Sequence, residues 1–402
     1  MVRFVHAVWL LALTLASCVH PASAQGMAPA LAPHLVADDH SPQLIESFSG
    51  RLEQRIAHRI VRKGPITISL VRAPAPARIT YQHGGSTLTV DDYLNRQRVT
   101  GLMVIKEDRV VVERYQHERG PNTRFLSASM AKSVVGLLIG IALEQGRIRS
   151  IDDLARTYAP ELAGTPYGDT PIRHLLQMSS GVAFSEQYTG RDDLGALIED
   201  TIGHRSSGGA DALRPYNQRR LAPGKVFRYS SADTQALGLV LRGATGVPVA
   251  DYLSQNIWEP MGAQDDASFL VDAAGQEATF AFLHATLGDF GRLGMMLAND
   301  GKVAGLQVIP PAWLRESTTA TEPHLQPFIA SSYFGYGNQF WIFPEVKRRF
   351  ALIGVRGQVI FVDPELRLVL VQTAVWKSAG DRSARAELLA LWRGVVEHYG
   401  AW

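Results

Sequence analysis

A serine and a lysine lie three residues apart at the start of an apolar segment, in the run LSASMAKSVVG over residues 126–136. If a helix begins near Ser129, the hydroxyl of Ser129 and the amine of Lys132 lie on one face and can meet. Burial lowers a lysine pKa by up to about 3–5 units, which leaves a neutral amine able to take the serine proton. The positive end of the helix dipole also favours the alkoxide. The spacing therefore predicts a serine nucleophile with a lysine base; the alternative is a solvated lysine in a chance S-x-x-K.

Two further stretches carry groups that acyl transfer needs. Tyr229 precedes a helix in PGKVFRYSSADTQALG, where its hydroxyl either relays a proton to a leaving group or only packs. GVRGQ, residues 354–358, lies on a late strand. A strand edge beside Ser129 supplies one backbone N–H to a developing oxyanion, and the amide of Ser129 supplies the other. The alternative is that Gly354 and Gly357 only mark a bulge.

The elements that position these residues follow from the hydrophobic pattern. The segment GLMVIKEDRVVVERY, residues 101–115, has two β-rich runs around a polar turn and predicts a hairpin. Helical patterns dominate residues 152–310, and strands return as a meander over residues 336–374, before a closing amphipathic helix in RSARAELLALWRGVVEHYG. Another amphipathic helix is predicted near residues 44–61.

Strands near both ends with helices between them predict an α+β fold, in which an antiparallel sheet is flanked by helices and a helical lobe is inserted. We expect an N-terminal linker and helix over residues 25–75 and one main domain over residues 76–402. Within that domain, the α/β lobe is expected at about 76–150 and 330–402, and the helical lobe at about 151–329.

These motifs together resemble a family of serine hydrolases, the class C β-lactamase and D-alanyl-D-alanine carboxypeptidase superfamily. The likeness is greatest to its 6-aminohexanoate-dimer hydrolase and esterase branch. It covers about residues 100–375 and is carried by FLSASMAKS, PIRHLLQMSSGV, PGKVFRYSSADTQALG, DFGRLGMMLANDG, GLQVIPPAW and GVRGQ. The resemblance implies a β-lactamase/transpeptidase-like fold with the active site between the two lobes, a covalent acyl-enzyme, no metal and no cofactor.

The resemblance also implies roles for single residues. Ser129 corresponds to the nucleophile, Lys132 to its base and Tyr229 to a second proton carrier, with the amides of Ser129 and Gln358 as the oxyanion hole. Tyr188, in FSEQYTG, resembles a flap tyrosine that closes on substrate. His284 falls where the amide-hydrolysing branch has a site histidine, although a core or surface histidine is an equal alternative.

Two departures from the family pattern bear on the substrate. The motif Y-x-N reads Tyr229-Ser230-Ser231, so Ser231 stands where β-lactamases hold a substrate amide with asparagine. The K-T-G or H-x-G triad reads VRG, so its leading cation is missing and Arg356 lies one position away, on the opposite face of a strand. Arg356 is still expected to be a substrate-binding residue, together with Tyr188, Ser231 and His284. We therefore expect a small-molecule ester or linear amide substrate. The alternatives are a β-lactamase or DD-peptidase, and a non-catalytic protein that binds envelope components.

Bulk properties exclude some classes and suggest export. A net charge of +2 with scattered basic residues gives no surface for nucleic acid.

The N-terminus has Arg3, an apolar run over residues 8–15 and small residues after it, as in a secretory signal of about residues 1–24. It ends either at Ala22-Ser23-Ala24 or, as a lipoprotein signal, before Cys18, so membrane attachment is expected only through a lipid on Cys18. We expect a periplasmic or secreted protein, or an anchored lipoprotein.

Overall fold

The computed structural model describes residues 19–20, 31–36 and 41–402. Most of the predicted signal, both alternative cleavage sites with Cys18, and part of the predicted linker lie outside the described residues. None of the helices in the described part of the chain is long and apolar enough to cross a membrane.

Within the described residues, the strands and helices are distributed along the whole chain. The strands are β1 Val19–His20, β2 His58–Val61, β3 Val71–Arg72, β4 Thr80–His83, β5 Ser86–Thr89, β6 Val99–Lys106, β7 Arg109–Tyr115, β8 Arg124–Leu126, β9 Ala267–Leu270, β10 Leu283–Thr286, β11 Lys302–Val303, β12 Leu306–Gln307, β13 Gly335–Tyr336, β14 Trp341–Ile342, β15 Phe350–Gly354, β16 Gln358–Asp363 and β17 Leu368–Ala374. The α-helices are α1 Leu31–Val36, α2 Gln43–Glu46, α3 Val90–Arg96, α4 Met130–Glu144, α5 Ile172–Leu176, α6 Asp193–Asp200, α7 Ser231–Thr245, α8 Val249–Leu253, α9 Leu287–Ala298, α10 Pro311–Ser317 and α11 Arg382–Tyr399.

The largest sheet joins the two ends of the main domain, in the order β13-β14-β15-β16-β17-β6-β7-β3. Its neighbouring strands are antiparallel except for the parallel pair β3 and β7. Side chains alternate between the two faces of a strand, so Ile360 and Val362 pack into one core and Val359 and Phe361 into another. Both faces are thus covered by helices, which confirms the predicted antiparallel sheet flanked by helices, the hairpin of β6 and β7, and the late meander.

The region predicted as a helical lobe is not wholly helical. Strands β9 and β10 lie within it and join β1, β2 and β8 in a second sheet, in the order β1-β2-β9-β10-β8. Helix α9 packs on the large sheet, because Gly291 and Gly294 allow a close approach. A Cβ at Gly294 would lie 2.5 Å from a methyl of Val369. Part of residues 151–329 therefore belongs to the sheet layer.

The helix predicted near residues 44–61 is broken in the structure. Helix α2 runs into a helical turn at Ser47–Arg51, in which Ser49 and Gly50 leave helical geometry and Gly50 has φ of 86°. Residues 58–61 then form β2, with alternate side chains buried as the strand pairs with β9. The turn at Gly50 and the period-two burial of β2 explain why one continuous helix does not form.

Candidate active site

The predicted nucleophile lies at the junction of a strand and a helix. Strand β8 ends at Leu126, and α4 begins at Met130 with Ser129 as its N-cap residue. The backbone of Ser127 is tied to β10 by its N–H, which donates to the carbonyl of Leu283 at 2.8 Å. Ala128 adopts a left-handed φ of 44°. This tight turn leaves the Ser129 hydroxyl uninvolved in capping and only half-buried, at the start of a buried helix.

Lys132 is buried directly beneath that hydroxyl, with 1% of its surface exposed. Its Nζ donates to Ser129 Oγ at 3.0 Å, to Ser231 Oγ at 3.0 Å and to the carbonyl of Phe280 at 2.7 Å. Burial lowers the pKa of Lys132 to about 8, although the carboxylate of Glu186 opposes this change. A substantial fraction of neutral amine at mildly basic pH, within hydrogen-bond distance of Ser129, is what a general base requires.

Helix α7 brings a second hydroxyl to the lysine. Ser230 caps α7 by accepting from the amide of Asp233, which places Ser231 on the first turn. Ser231 donates its N–H to Glu186 Oε2 at 2.7 Å and its hydroxyl to Glu186 Oε1 at 3.1 Å. Burial raises the pKa of Glu186, while Lys132 partly offsets that rise. Ser231 thus links the lysine to a carboxylate.

Tyr229 lies on the other side of Ser129 within an aromatic wall. Its ring stacks on Trp341 at 5.4 Å and meets Tyr336 edge-on at 6.2 Å. Lys132 Nζ lies 5.1 Å from the ring centroid. Burial, followed by the charge of Glu186, raises the pKa of Tyr229 well above its usual value, while a hydrogen bond with Ser129 opposes the rise. The phenol is therefore protonated at neutral pH and is a hydrogen-bond donor next to the nucleophile.

An apolar cavity opens from Ser129. It has about 30 Å³ of free space and is lined by Leu35, Val36, Phe48, Leu126, Ala128, Ser129, Glu186, Tyr188, Leu194, Ile198, Ser231, Phe280, Ala281, Phe282 and Val355. Tyr188 lies in this lining, has a left-handed φ of 58° and donates its hydroxyl to Glu186 Oε1 at 3.3 Å. The structure thus brings together five of the predicted residues: Ser129, Lys132, Tyr229, Ser231 and Tyr188.

The structure corrects the expectation for the oxyanion hole. Gln358 is buried and does not line the cavity, and its side-chain amide donates to the carbonyl of Ala374 at 2.6 Å. Instead, the end of β15 lies against the nucleophile, since a Cβ on Gly354 would be 3.0 Å from the backbone nitrogen of Ser129. Val355, the next residue, lines the cavity. The chain bends after Gly354, so Gly354 and Val355, and not Gln358, lie beside Ser129 and its cavity.

The prediction that Arg356 binds substrate is also wrong. Its side chain is fully buried, and its guanidinium donates to the carbonyls of Leu35 at 3.0 Å and Trp376 at 2.9 Å. The expectation that Arg356 meets substrate assumed a continuous strand, but the strand ends at Gly354 and Arg356 has a left-handed φ of 60°. This turn directs the guanidinium into the interior, behind the cavity wall.

His284 is not among the residues that line the cavity. It lies fully buried on β10, paired with Leu126 and Ser268, and burial lowers its pKa. His284 is therefore a core histidine in the structure, which is the alternative given above, and it does not lie at the candidate site.

The family model described as "Beta-lactamase" matches residues 88–391. The chain belongs to the β-lactamase family. Because the family's named relatives are hydrolases, this protein is a serine hydrolase related to the 6-aminohexanoate-dimer hydrolases.

Three members of the β-lactamase family illustrate the range of similarity. The 6-aminohexanoate-dimer hydrolase of Paenarthrobacter ureafaciens is 26% identical over 293 residues, covering 70% of this chain and 74% of that protein. A β-lactamase of Yersinia enterocolitica is 24% identical over 256 residues, covering 60% and 58%. A solved structure from Bacillus anthracis, assigned by name as a 6-aminohexanoate-dimer hydrolase, has a TM-score of 0.80 and 22% identity, covering 93% of this chain and 98% of that one. This structural likeness shows the shared fold.

Sequence reasoning about this β-lactamase-family site missed Glu186. The carboxylate contacts Ser231 and Tyr188 and acts electrostatically on Lys132. A signal was present, since Glu186 stands two residues before Tyr188 in FSEQYTG. Among the described residues, no group of three or more His, Cys, Asp or Glu side chains is arranged to hold a metal ion.

Proposed function

We propose that this protein hydrolyses esters or linear amides through an acyl-enzyme on Ser129. The observation that carries the proposal is the 3.0 Å contact between Ser129 Oγ and Lys132 Nζ, in a lysine that is 1% exposed. Burial makes the ammonium form costly, and a neutral amine at this distance accepts the serine proton. The hydroxyl itself remains half-buried and open to the cavity.

The contacts support a two-step reaction. Ser129 Oγ forms a bond to the substrate carbonyl carbon as its proton passes to Lys132, and the oxyanion accepts from the amides of Ser129 and Val355. The proton then moves through Lys132 and Tyr229 to the leaving alcohol or amine, and the scissile bond breaks. Water attacks the resulting ester, gives its proton to the same pair, and that proton returns to Ser129 as the acid leaves.

The cavity favours esters and linear amides over β-lactams. No arginine, lysine or histidine lies in its described lining, and the position that leads the family's cationic triad holds Val355. Arg356, the neighbouring cation, is occupied with backbone carbonyls. The carboxylate of a β-lactam would enter this apolar site without a partner, which is costly.

Trapping of the acyl-enzyme tests this proposal. With an activated ester, we expect a burst of leaving group and a mass increase on Ser129 in the wild type. Ser129→Ala should lose turnover by about 10⁴-fold or more, as loss of a nucleophile does in other serine hydrolases. Ser86→Ala, at an exposed serine on β5, is the matched control. Full activity of Ser129→Ala would disprove the proposal.

A β-lactamase or DD-peptidase is the second candidate, favoured by the match to the Yersinia enterocolitica β-lactamase. Nitrocefin and a D-Ala-D-Ala peptide, assayed beside short esters, separate the two candidates. We expect ester turnover to exceed both by a wide margin. Nitrocefin turnover at a rate comparable to that of the esters would replace the first candidate with the second. A protein that binds a ligand but leaves Ser129 unmodified would instead be a non-catalytic binding protein.

We also propose that the protein is exported. The support is the signal-like N-terminus, with Arg3, an apolar run over residues 8–15 and two alternative processing sites. The mass of the mature N-terminus separates the two: Gln25 at the N-terminus indicates a periplasmic or secreted protein, and a lipidated Cys18 indicates a membrane-anchored one. An unprocessed Met1 would contradict export.

A further inference from the structure

The short helix α1, Leu31–Val36, lies against the catalytic cavity although it is far from Ser129 in sequence. Leu35 and Val36 are 3% and 5% exposed and line the cavity together with Ser129 and Val355. The N-terminal segment thus forms part of the wall of the candidate active site.

Three contacts hold α1 in this position. Arg356 Nε donates to the carbonyl of Leu35 at 3.0 Å, and the same guanidinium donates to carbonyls at the end of β17. At the start of α1, the amide of Ala32 donates to Glu199 Oε1 at 2.9 Å. Pro33 fits against Gly190, where a Cβ would lie 2.6 Å from Pro33 Cα. The helix is therefore tied to the body of the enzyme at both of its ends.

The cavity that α1 closes lies on the acyl side of the reacting bond. In the proposed reaction the leaving group takes its proton from Lys132 and Tyr229, so it must lie toward Tyr229. Tyr229 does not line the cavity, whose apolar surface comes from residues such as Leu35, Phe282 and Val355. The free space of about 30 Å³ is too small for an acyl chain of several carbons.

We propose that α1 is the wall of the acyl pocket and that Leu35 and Val36 restrict this hydrolase to short, uncharged acyl groups. This inference rests on the proposed ester or amide hydrolysis at Ser129. Arg356 acts as a positioning residue, because its guanidinium fixes the Leu35 carbonyl and does not enter the cavity.

A chain-length series tests the wall. We would measure kcat/KM for 4-nitrophenyl acetate, butyrate and hexanoate with the wild type, Leu35→Ala and Val36→Ala. The wild type should strongly prefer acetate. Each truncation should raise the hexanoate-to-acetate ratio by about 10-fold or more, since one methylene in an apolar pocket changes specificity by roughly 10–200-fold. Arg356→Lys, which loses the Nε contact, should raise the ratio less.

Leu44→Ala is the matched control, because Leu44 is a fully buried leucine of α2 that does not line the cavity. Its ratio should equal that of the wild type. The proposal is wrong if the hexanoate-to-acetate ratio of a folded Leu35→Ala or Val36→Ala protein equals that of the wild type. It is also wrong if Leu44→Ala raises this ratio as much as the other two variants do. If Leu35→Ala does not unfold cooperatively, the smaller truncation Val36→Ala decides. Absence of Ser129-dependent ester turnover in the wild type would instead refute the proposed function.

Discussion

The two sides of Ser129 differ in chemistry and in origin. On the proton-transfer side, defined by Lys132, Tyr229, Ser231 and Glu186, every polar group has a specific partner, and Lys132 Nζ alone makes three hydrogen bonds. On the acyl side, defined by Leu35, Phe282 and Val355, the lining of the cavity is apolar, and Glu186 and Ser231 of the proton-transfer side reach the same cavity. In the proposed reaction, the first side transfers protons and the second side determines which acyl groups bind.

Different elements build these two sides. The proton-transfer side comes mainly from the starts of α4 and α7 and the residues just before α7, with Glu186 from the loop before α6. The acyl side combines α1, the residues just before β10 and the end of β15. Mutations on the first side should therefore change the rate for every substrate, whereas those on the second should redistribute rates among substrates.

The largest effect is expected on the proton-transfer side from Lys132→Met. Loss of a positioned general base lowers rates by typically 10²–10⁴-fold, so we expect kcat/KM to fall by about 10³-fold for acetate and hexanoate esters alike. Lys302→Met, at an exposed lysine, is the control. A loss confined to one chain length would show that Lys132 belongs to recognition instead.

A glycine at the border of the two sides should give the next largest effect. In Gly354→Ala the new methyl would lie 2.7 Å from the Ser127 carbonyl and 3.0 Å from the Ser129 nitrogen, so the backbone must shift. Displacing one oxyanion donor costs about 10²–10³-fold in kcat. Gly120→Ala, with nothing within 4 Å of the new Cβ, is the control and should leave kcat unchanged. If Gly354→Ala keeps the wild-type kcat, then β15 does not contribute to the oxyanion hole.

The next prediction concerns the effect of Glu186 on the pH dependence of kcat/KM. Since the pKa of Lys132 is about 8, kcat/KM should rise as pH increases through 8 and the amine loses its proton. The carboxylate of Glu186 raises that pKa, so Glu186→Gln should move the midpoint to lower pH. Glu161→Gln, at an exposed carboxylate, is the control. A midpoint that stays in place or rises would contradict this electrostatic role.

The last prediction concerns the free energy of unfolding. The pKa of Lys132 is lowered from 10.5 to about 8 on folding, so between these values the unfolded chain binds more protons than the folded one. The free energy of unfolding should therefore gain about 3 kcal/mol from this group as pH rises from 8 to above 10.5. Denaturant titrations at several pH values, with Lys132→Met as the reference, isolate the contribution. An equal pH dependence in both proteins would show that the lysine is not the cause.

The proton-transfer side was largely predictable from the sequence. Ser129 and Lys132 are three residues apart on one helix, so local geometry brings them together. The hairpin of β6 and β7 and the closing helix α11 carry strong period-two and helical patterns, and the structure confirms both. These predictions depend on neighbours along the chain, which the sequence contains directly.

The acyl side was not predictable in the same way. The prediction for Arg356 failed because β15 ends two residues earlier, and a one-residue change in where a strand stops reverses a side chain. Leu35 and Val355 line the same cavity although they are far apart in sequence, and no local pattern predicts such a contact. On the proton-transfer side, Glu186 was missed for a related reason, because it lies in a loop, where periodicity gives no orientation. Long-range contacts of this kind require the folded structure.

The pairing of β6 with β17 also has a consequence for synthesis of the protein. Val99–Lys106 meets Leu368–Ala374 near the centre of the large sheet, and β15 contacts the backbone of Ser129 from the same late segment. A ribosome therefore makes the nucleophile long before the strands that shape its surroundings. Pairing between distant segments is slow and must wait for the last of them. A chain that stops before β15 would lack the strand that lies against Ser129, so the proposed activity requires an almost complete chain.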